Sequence, residues 1–275
     1  MTTMKIAAIQ MVSSPDVADN LARARHWMAS AAAQGAQLVA LPEYFCLMGL
    51  SDTDKLAIAE TDGDAAAPIQ AMLSAAAREL GLWVIGGTLP LRAATPERVR
   101  NASCVYAPDG SRVARYDKIH LFRFDNGREN YDEGRVLEAG DTPVAVQAGP
   151  LRVGLSVCYD LRFPELYRAM SFAPGAAPCD LLAVPAAFTY TTGRSHWELL
   201  LRARAVENQA YVIAPAQGGK HQNGRRTWGH SMIVDPWGEV LCSLPEGEGV
   251  VLADVDAARL QSVRSQLPAL THRRL

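Results

Sequence analysis

An internal repeat constrains this fold more than any other feature of the chain. The segment Leu38-Val39-Ala40-Leu41-Pro42-Glu43-Tyr44-Phe45 is matched by Leu181-Leu182-Ala183-Val184-Pro185-Ala186-Ala187-Phe188, and Trp83-Val84-Ile85 by Tyr211-Val212-Ile213. A third pair, 103–110 and 231–238, keeps the spacing of the second. Such self-similarity marks a duplicated unit, here strand, helix, strand, helix, strand and hairpin. In the first copy, apolar runs predict strands at 5–10, 37–41 and 82–87, with helices over 20–34 and Pro68–Leu80 between them. Ala107-Pro108-Asp109-Gly110 predicts the hairpin turn, because Pro presets φ and Gly accepts positive φ. A sheet with helices on one face has a bare face to bury, and two equivalent halves satisfy that need by stacking. The expected fold is an α/β, four-layer-type α-β-β-α sandwich of two pseudo-symmetric halves, forming one domain over 1–275. Chemistry is then expected at the carboxyl ends of strands, where open α/β sheets present their loops.

The composition narrows the function classes. Of 275 residues, 49% are hydrophobic and 20% charged, enough apolar material for a large core. A net charge of -2 leaves no basic footprint for nucleic acid or an acidic membrane surface. The N-terminal apolar run is too short for a signal peptide and no stretch is apolar enough to span a bilayer, which predicts a soluble, cytoplasmic protein. The five cysteines are odd in number, widely spaced and without a C-x-x-C pair, an argument against a disulfide framework or a zinc site. His120, His196, His221, His230 and His272 lack ligand spacing, so no metal is expected. Gly86-Gly87 and Gly218-Gly219 are isolated pairs rather than phosphate loops, and no cofactor is expected.

Three residue types fall at predicted strand ends. The apolar run 151–157 delivers Cys158 to a corner before a helix starting near Phe163-Pro164-Glu165, where a helix dipole and free N–H groups favour a thiolate and an oxyanion. A lone cysteine is more often a small buried hydrophobe. Glu43 follows the repeated strand, yet its counterpart is Ala186, so the architecture does not demand a carboxylate there. Lys118 ends the hairpin strand, a position that also suits an ordinary solvated lysine, and His120 reads as a structural hydrogen-bonding residue. Together, cysteine, lysine and glutamate suffice for acyl transfer from an amide, as nucleophile, oxyanion-stabilising cation and base. The long polar segment 118–143 is a candidate functional loop, in which Glu133, Glu129 and Asp132 compete to orient the lysine.

The motifs Leu41-Pro42-Glu43, Asp117-Lys118-Ile119-His120-Leu121-Phe122, Cys158-Tyr159-Asp160-Leu161-Arg162-Phe163-Pro164-Glu165 and Gly229-His230-Ser231-Met232-Ile233-Val234-Asp235-Pro236-Trp237-Gly238 occur in one order along the chain. In this it resembles the nitrilase superfamily of carbon–nitrogen hydrolases over its whole length. The resemblance implies an α-β-β-α sandwich, a triad on Glu43, Lys118 and Cys158, an additional glutamate on Glu133, and the Tyr159 N–H as an oxyanion donor. It further implies a homodimer or higher homo-oligomer. Within the superfamily the chain is similar to the Nit subgroup of omega-amidases and deaminated glutathione amidases; 214–221 and the tail 267–274 look more like the latter. That likeness implies hydrolysis of a small, anionic amide through a thioester on Cys158. It makes Arg162, and with it Arg194 or Arg128, the expected carboxylate partners, unless these arginines serve structural ion pairs. Thr189, just beyond the second-half strand, is expected to wall the pocket. Lys118 is expected to lower the Cys158 pKa. The same triad serves nitrilases and carbamoylases, while a non-catalytic dimeric interaction protein would have no use for it. The chain is expected to end without an attached synthetase domain.

Overall fold

The computed structural model describes residues 3–173 and 175–274. The first half runs β1 (Thr3–Gln10), α1 (Val17–Ala33), β2 (Leu38–Ala40), α2 (Asp54–Ala57), α3 (Pro68–Leu80), β3 (Trp83–Ile85), β4 (Leu89–Arg92), β5 (Val99–Tyr106) and β6 (Arg112–Asp117). A small hairpin, β7 (Arg123–Asp125) and β8 (Asn130–Asp132), leads to the second half. There follow β9 (Ala145–Ala148), β10 (Leu151–Leu155), α4 (Pro164–Ser171), β11 (Leu181–Ala183), α5 (Tyr190–Asn208), β12 (Tyr211–Ala214), β13 (Ser231–Val234), β14 (Val240–Leu244), β15 (Gly249–Asp256) and α6 (Ala257–Gln266).

The repeat is visible bond by bond. In the first sheet β1, β2 and β3 are parallel neighbours, followed by antiparallel β5 and then β6; in the second, β10, β11, β12, β13 and β14 take the same places. The Trp83 N–H donates to Gln37 O at 3.0 Å, and the Tyr211 N–H to Asp180 O at 2.9 Å. Two differences break the symmetry. β4 extends the first sheet beside β5, and β15, although it follows the second half, pairs antiparallel with β1 along its full length. The second half is thereby laced into the sheet of the first.

Alternation along the strands builds the layers, because successive side chains leave a strand on opposite faces. Ile6, Ala8, Leu38, Ala40 and Ile85 join the interior shared with the second sheet. Ala7, Ile9, Val39 and Val84 face outward onto Met28 of α1 and Leu73 of α3. On the far side, Leu166, Tyr167 and Met170 of α4 and Trp197 and Leu201 of α5 cover the second sheet, completing α-β-β-α. The helix ends follow local chemistry: Asp16 accepts from the Asp19 N–H at the start of α1, Pro68 opens α3, and Gly81, at φ 66°, closes it. Among the described residues no helix is long and apolar enough to cross a membrane.

Since β5 runs against β3, β6 again points the same way as β2. The segments that leave β2, β6 and β10 therefore emerge where the two sheets meet, and they carry Glu43, Lys118 and Cys158.

Candidate active site

The Lys118 ammonium is fully buried and sits between two carboxylates. It donates to Glu43 Oε1 at 2.8 Å and to both oxygens of Glu133, at 2.8 and 3.0 Å. A buried ion needs its remaining positions filled, and both glutamates meet that need. Glu43 also accepts from Asn101 Nδ2 at 2.9 Å and from the Ala187 N–H at 3.0 Å. Glu133 accepts from the Tyr44 hydroxyl and the Phe122 N–H, each at 2.7 Å. Of the three acids that compete in the long loop, Glu133 is the one against the lysine. Glu129 instead accepts from Thr191, and Asp132 caps the short turn after β8.

Cys158 is buried against Glu43 at the head of a 3-10 turn spanning Cys158–Arg162. Its φ of 50° is a left-handed conformation that costs a side-chain-bearing residue energy, and Tyr44 next to Glu43 has φ 58°. The Cys158 N–H is tied to Pro185 O at 2.9 Å, whereas the Tyr159 N–H has no partner among the described residues. α4 begins at Pro164, where the sequence places it, but the short turn lies between it and the strand, so the expected help of the helix dipole does not start at the sulfur. What the corner supplies is the unpaired N–H of a tight turn.

The electrostatics also differ from expectation. Burial, followed by the Glu43 charge, pushes the Cys158 thiol well above its ordinary range, and the pull of Lys118 does not overcome them. Burial likewise raises the Glu43 carboxyl, with Glu133 adding to the rise and Lys118 opposing it. Burial opposes the Lys118 charge, but Glu133 and Glu43 outweigh it and hold the ammonium well above its usual range. Glu133 is lowered: burial works against its charge, and Lys118 with the Phe122 and Tyr44 bonds prevails. A buried ammonium, two carboxyl groups and a thiol thus share one site in which burial pushes both the thiol and Glu43 up, a set poised for a single proton to move between sulfur and Glu43.

Asp160 holds the cysteine turn to the lysine strand. It is fully buried and accepts from the Val157 N–H at 2.9 Å, the Tyr116 hydroxyl at 2.7 Å and the His120 N–H at 2.9 Å. The His120 ring contacts the same carboxylate at 2.7 Å and stacks on Phe163 with centroids 3.7 Å apart, the structural role expected of it. Sequence reasoning missed Asp160 and Asn101. Asp160 carries a signal, since an acid between Tyr159 and Leu161 is a polar residue that needs a reason where the chain is buried, whereas Asn101, with Arg100 and Ser103 nearby in β5, carries none.

Cys158 opens into a narrow cleft walled by Phe122, Tyr159, Phe188 and Thr189, with Arg162 beside it. Arg162 lies 5.6 Å from the Tyr159 ring and 5.4 Å from that of Phe188. Its polar side-chain partner is His196 at 3.3 Å rather than an acid. Thr189 caps α5. Arg194, on the exposed side of α5, and Arg128, at the exposed tip of the β7–β8 hairpin, do not line this cleft. The resemblance makes one or the other an expected carboxylate partner beside Arg162, and neither stands there. The helical period turns Arg194 outward, and a type of turn rich in Asp125, Asn126 and Gly127 holds Arg128 in solvent.

A two-sheet sandwich with a buried cysteine, glutamate and lysine gathered at one end has the architecture of a carbon–nitrogen hydrolase. The family model for carbon-nitrogen hydrolases matches residues 5–265, and the chain belongs to that family. It is 41% identical over 271 residues to deaminated glutathione amidase of Synechocystis sp. (strain PCC 6803 / GT-S), covering 97% of each protein. To omega-amidase NIT2 of Homo sapiens it is 38% identical over 275 residues, covering 100% of this chain and 96% of the relative. The crystal structure of Saccharomyces cerevisiae Nit3, described as a member of branch 10 of the nitrilase superfamily, superposes with a TM-score of 0.88 at 30% identity, covering 99% of this chain and 97% of that one. The protein is a hydrolase acting on carbon–nitrogen bonds other than peptide bonds.

Proposed function

We propose that this protein is an amidase that hydrolyses deaminated glutathione to 2-oxoglutarate and cysteinylglycine, with Cys158, Glu43 and Lys118 carrying the reaction and Glu133 holding the lysine. The observation that carries the reading is the Cys158 thiol packed on Glu43 at the floor of a cleft whose one cation among the described residues, Arg162, has no acidic partner there. The likeness to deaminated glutathione amidases supports the choice of substrate.

With the amide carbonyl in the cleft, Glu43 takes the thiol proton as sulfur forms a bond to the carbonyl carbon. The oxyanion accepts from Lys118 Nζ and the Tyr159 N–H, donors already in place before charge develops. Glu43 then gives its proton to the amide nitrogen as the C–N bond breaks, and the amine leaves a thioester on Cys158. Water, deprotonated by Glu43, attacks the thioester; the C–S bond breaks, the thiol regains the proton, and the carboxylic product departs. Arg162 pairs with the carboxylate of the acyl half.

Omega-amidase activity on 2-oxoglutaramate is the second reading, favoured by the 38% identity to omega-amidase NIT2. The two substrates share the 2-oxo acyl half and hence the thioester; they differ in the amine that leaves. A homodimer in the cytoplasm completes the reading, and light scattering on the purified protein tests the dimer. The decisive assay offers each amide separately and follows 2-oxoglutarate release, with Cys158→Ala as control. Release from neither compound would remove the substrate assignment, and full activity in Cys158→Ala would remove the nucleophile.

A further inference from the structure

Phe122 divides two cavities. On one side lies the Cys158 cleft with Arg162; on the other lies a narrow hollow bounded by Tyr44, Tyr131 and Glu133 and carrying Lys55 and Arg225. Because Glu133 is bonded to Lys118, the second hollow also converges on the reacting centre. Its two cations are poorly satisfied. Lys55 Nζ, on a side chain only 12% exposed, has Asp52 Oδ1 at 3.5 Å, Asp52 O at 3.4 Å and the face of Tyr44 at 4.8 Å. These separations are long for an ammonium, which normally finds oxygen at about 2.7–2.9 Å. Burial draws the Lys55 pKa down, the mark of a cation lacking a close anion. Arg225 lies over the Tyr131 ring at 4.8 Å and reaches the same Asp52 at 3.8 Å. Asp52 is itself largely exposed. The remaining acids of the wall are engaged elsewhere, Glu133 with Lys118, Tyr44 and Phe122, and Asp132 with the Gly134 N–H and Arg135. The hollow is therefore lined by two cations that share one exposed carboxylate, Asp52, at long range, and by two further carboxylates, Glu133 and Asp132, that bond elsewhere.

We propose that this second hollow receives the amine half of the substrate and that Lys55 and Arg225 bind a carboxylate at its far end. The inference rests on the function proposed above: with the anionic acyl half held by Arg162, the leaving amine must run to the other side of Phe122. In deaminated glutathione that amine is cysteinylglycine, whose only charge while amide-bound is its terminal carboxylate. Ammonia, the leaving group of 2-oxoglutaramate, makes no use of such a subsite. The hollow is thus a specificity element for amides with an anionic leaving group.

The test compares kcat/KM for deaminated glutathione and for its C-terminal amide, in the wild type, Lys55→Met and Arg225→Gln. The ratio cancels any loss common to both compounds, such as a disturbed Tyr44. The wild type should favour the free acid by about tenfold or more, the size of one charge-assisted contact, and each variant should move the ratio toward one. A wild-type ratio near one, or variants that keep the wild-type ratio however much they slow, would overturn the subsite. If the wild type hydrolyses neither compound, the substrate assignment falls and the subsite is judged by calorimetric titration of Cys158→Ala protein with cysteinylglycine. Binding that weakens about tenfold or more on adding Lys55→Met upholds it, and absence of binding overturns it.

Discussion

Replacing Glu133 with glutamine keeps the shape of the side chain and removes its charge, so it isolates what the second carboxylate does. Glu133 accepts from Lys118 through both oxygens and also from Tyr44 and the Phe122 N–H. A glutamine retains one acceptor and turns the other into a donor facing either Lys118 and Phe122 or Lys118 and Tyr44. Two charge-assisted bonds are lost at about 1.5–3 kcal/mol each, and the stability loss is expected near 3–5 kcal/mol, as for breaking a buried pair. In the reaction, a lysine no longer fixed toward the oxyanion should cost on the order of 10²–10³ in kcat, the effect of losing one oxyanion donor. The pH profile separates this from simple unfolding. Glu43 is held up by burial and further by the Glu133 charge, so removing that charge lowers its pKa and keeps the base ionised to lower pH. The acid limb of kcat/KM should move to lower pH. The Lys118 pKa loses part of its support as well, so the basic limb should move down with it. Steady-state assays on the folded fraction, verified by circular dichroism, give both readouts. An acid limb that stays put or rises, or a kcat within twofold of the wild type, would refute the assignment of Glu133 as the positioning residue of the lysine.

The raised thiol makes a second prediction: alkylation of Cys158 by iodoacetamide should be slow at neutral pH and accelerate only above the ordinary thiol range, and in Glu43→Gln, where the neighbouring negative charge is gone, the profile should shift to lower pH. Mass spectrometry of the modified peptide follows this, and an unshifted or upward-shifted profile contradicts it. Asp160→Ala strands the Val157 N–H, the Tyr116 hydroxyl and the His120 N–H in a buried site and should cost about 3–5 kcal/mol by denaturant titration; a loss below about 1 kcal/mol would mean that the network does not hold the turn. Arg162→Gln should raise KM for an anionic amide by roughly 10–100-fold with little change in kcat, a loss of about 1.5–3 kcal/mol, and an effect confined to kcat would remove Arg162 from substrate binding.

The fold was legible because its information is periodic. The repeat located equivalent strands, and apolar runs located their extent, although in a run as uniformly apolar as Ile6 to Ile9 only the structure shows which side chain takes which face. The route of β15 was not legible: it is bound to β1 by backbone hydrogen bonds, which any sequence of suitable propensity makes. The site divides in the same way. Glu43, Lys118 and Cys158 stand at strand ends, and strand ends can be read. Asn101 and Lys55 act through contacts between segments far apart in the chain, which no local pattern encodes, and for Asp160 the sequence shows a polar residue but not the Tyr116 and His120 groups it binds. The direction of the Cys158 pKa was misjudged for a related reason, because one cation can be seen in a motif whereas complete burial beside a second carboxylate cannot.

The duplication also explains how a symmetric scaffold comes to hold an asymmetric site. Glu43 and Ala186 are equivalent, as are Tyr44 and Ala187, and the two loops meet between the sheets. The first loop contributes a carboxylate; the second, lacking one, contributes the Ala187 N–H that binds that carboxylate and the Pro185 carbonyl that holds the Cys158 N–H. Ala186 is fully buried, so a glutamate there would add a further unpaired carboxylate beside the loop that carries Glu43, which already feels Glu133. Gly87 shows the same division of labour: a Cβ there would meet Pro42 O at 2.2 Å, and its counterpart in the second half is Pro215. The chain therefore packs closely on the loop that carries Glu43, whereas on its twin Pro215 O accepts from the Ala186 N–H at 2.9 Å. Each half is incomplete alone, since the base and the cation come from the first and the nucleophile from the second, and it is the stacking of the two sheets that brings them within reach of one proton.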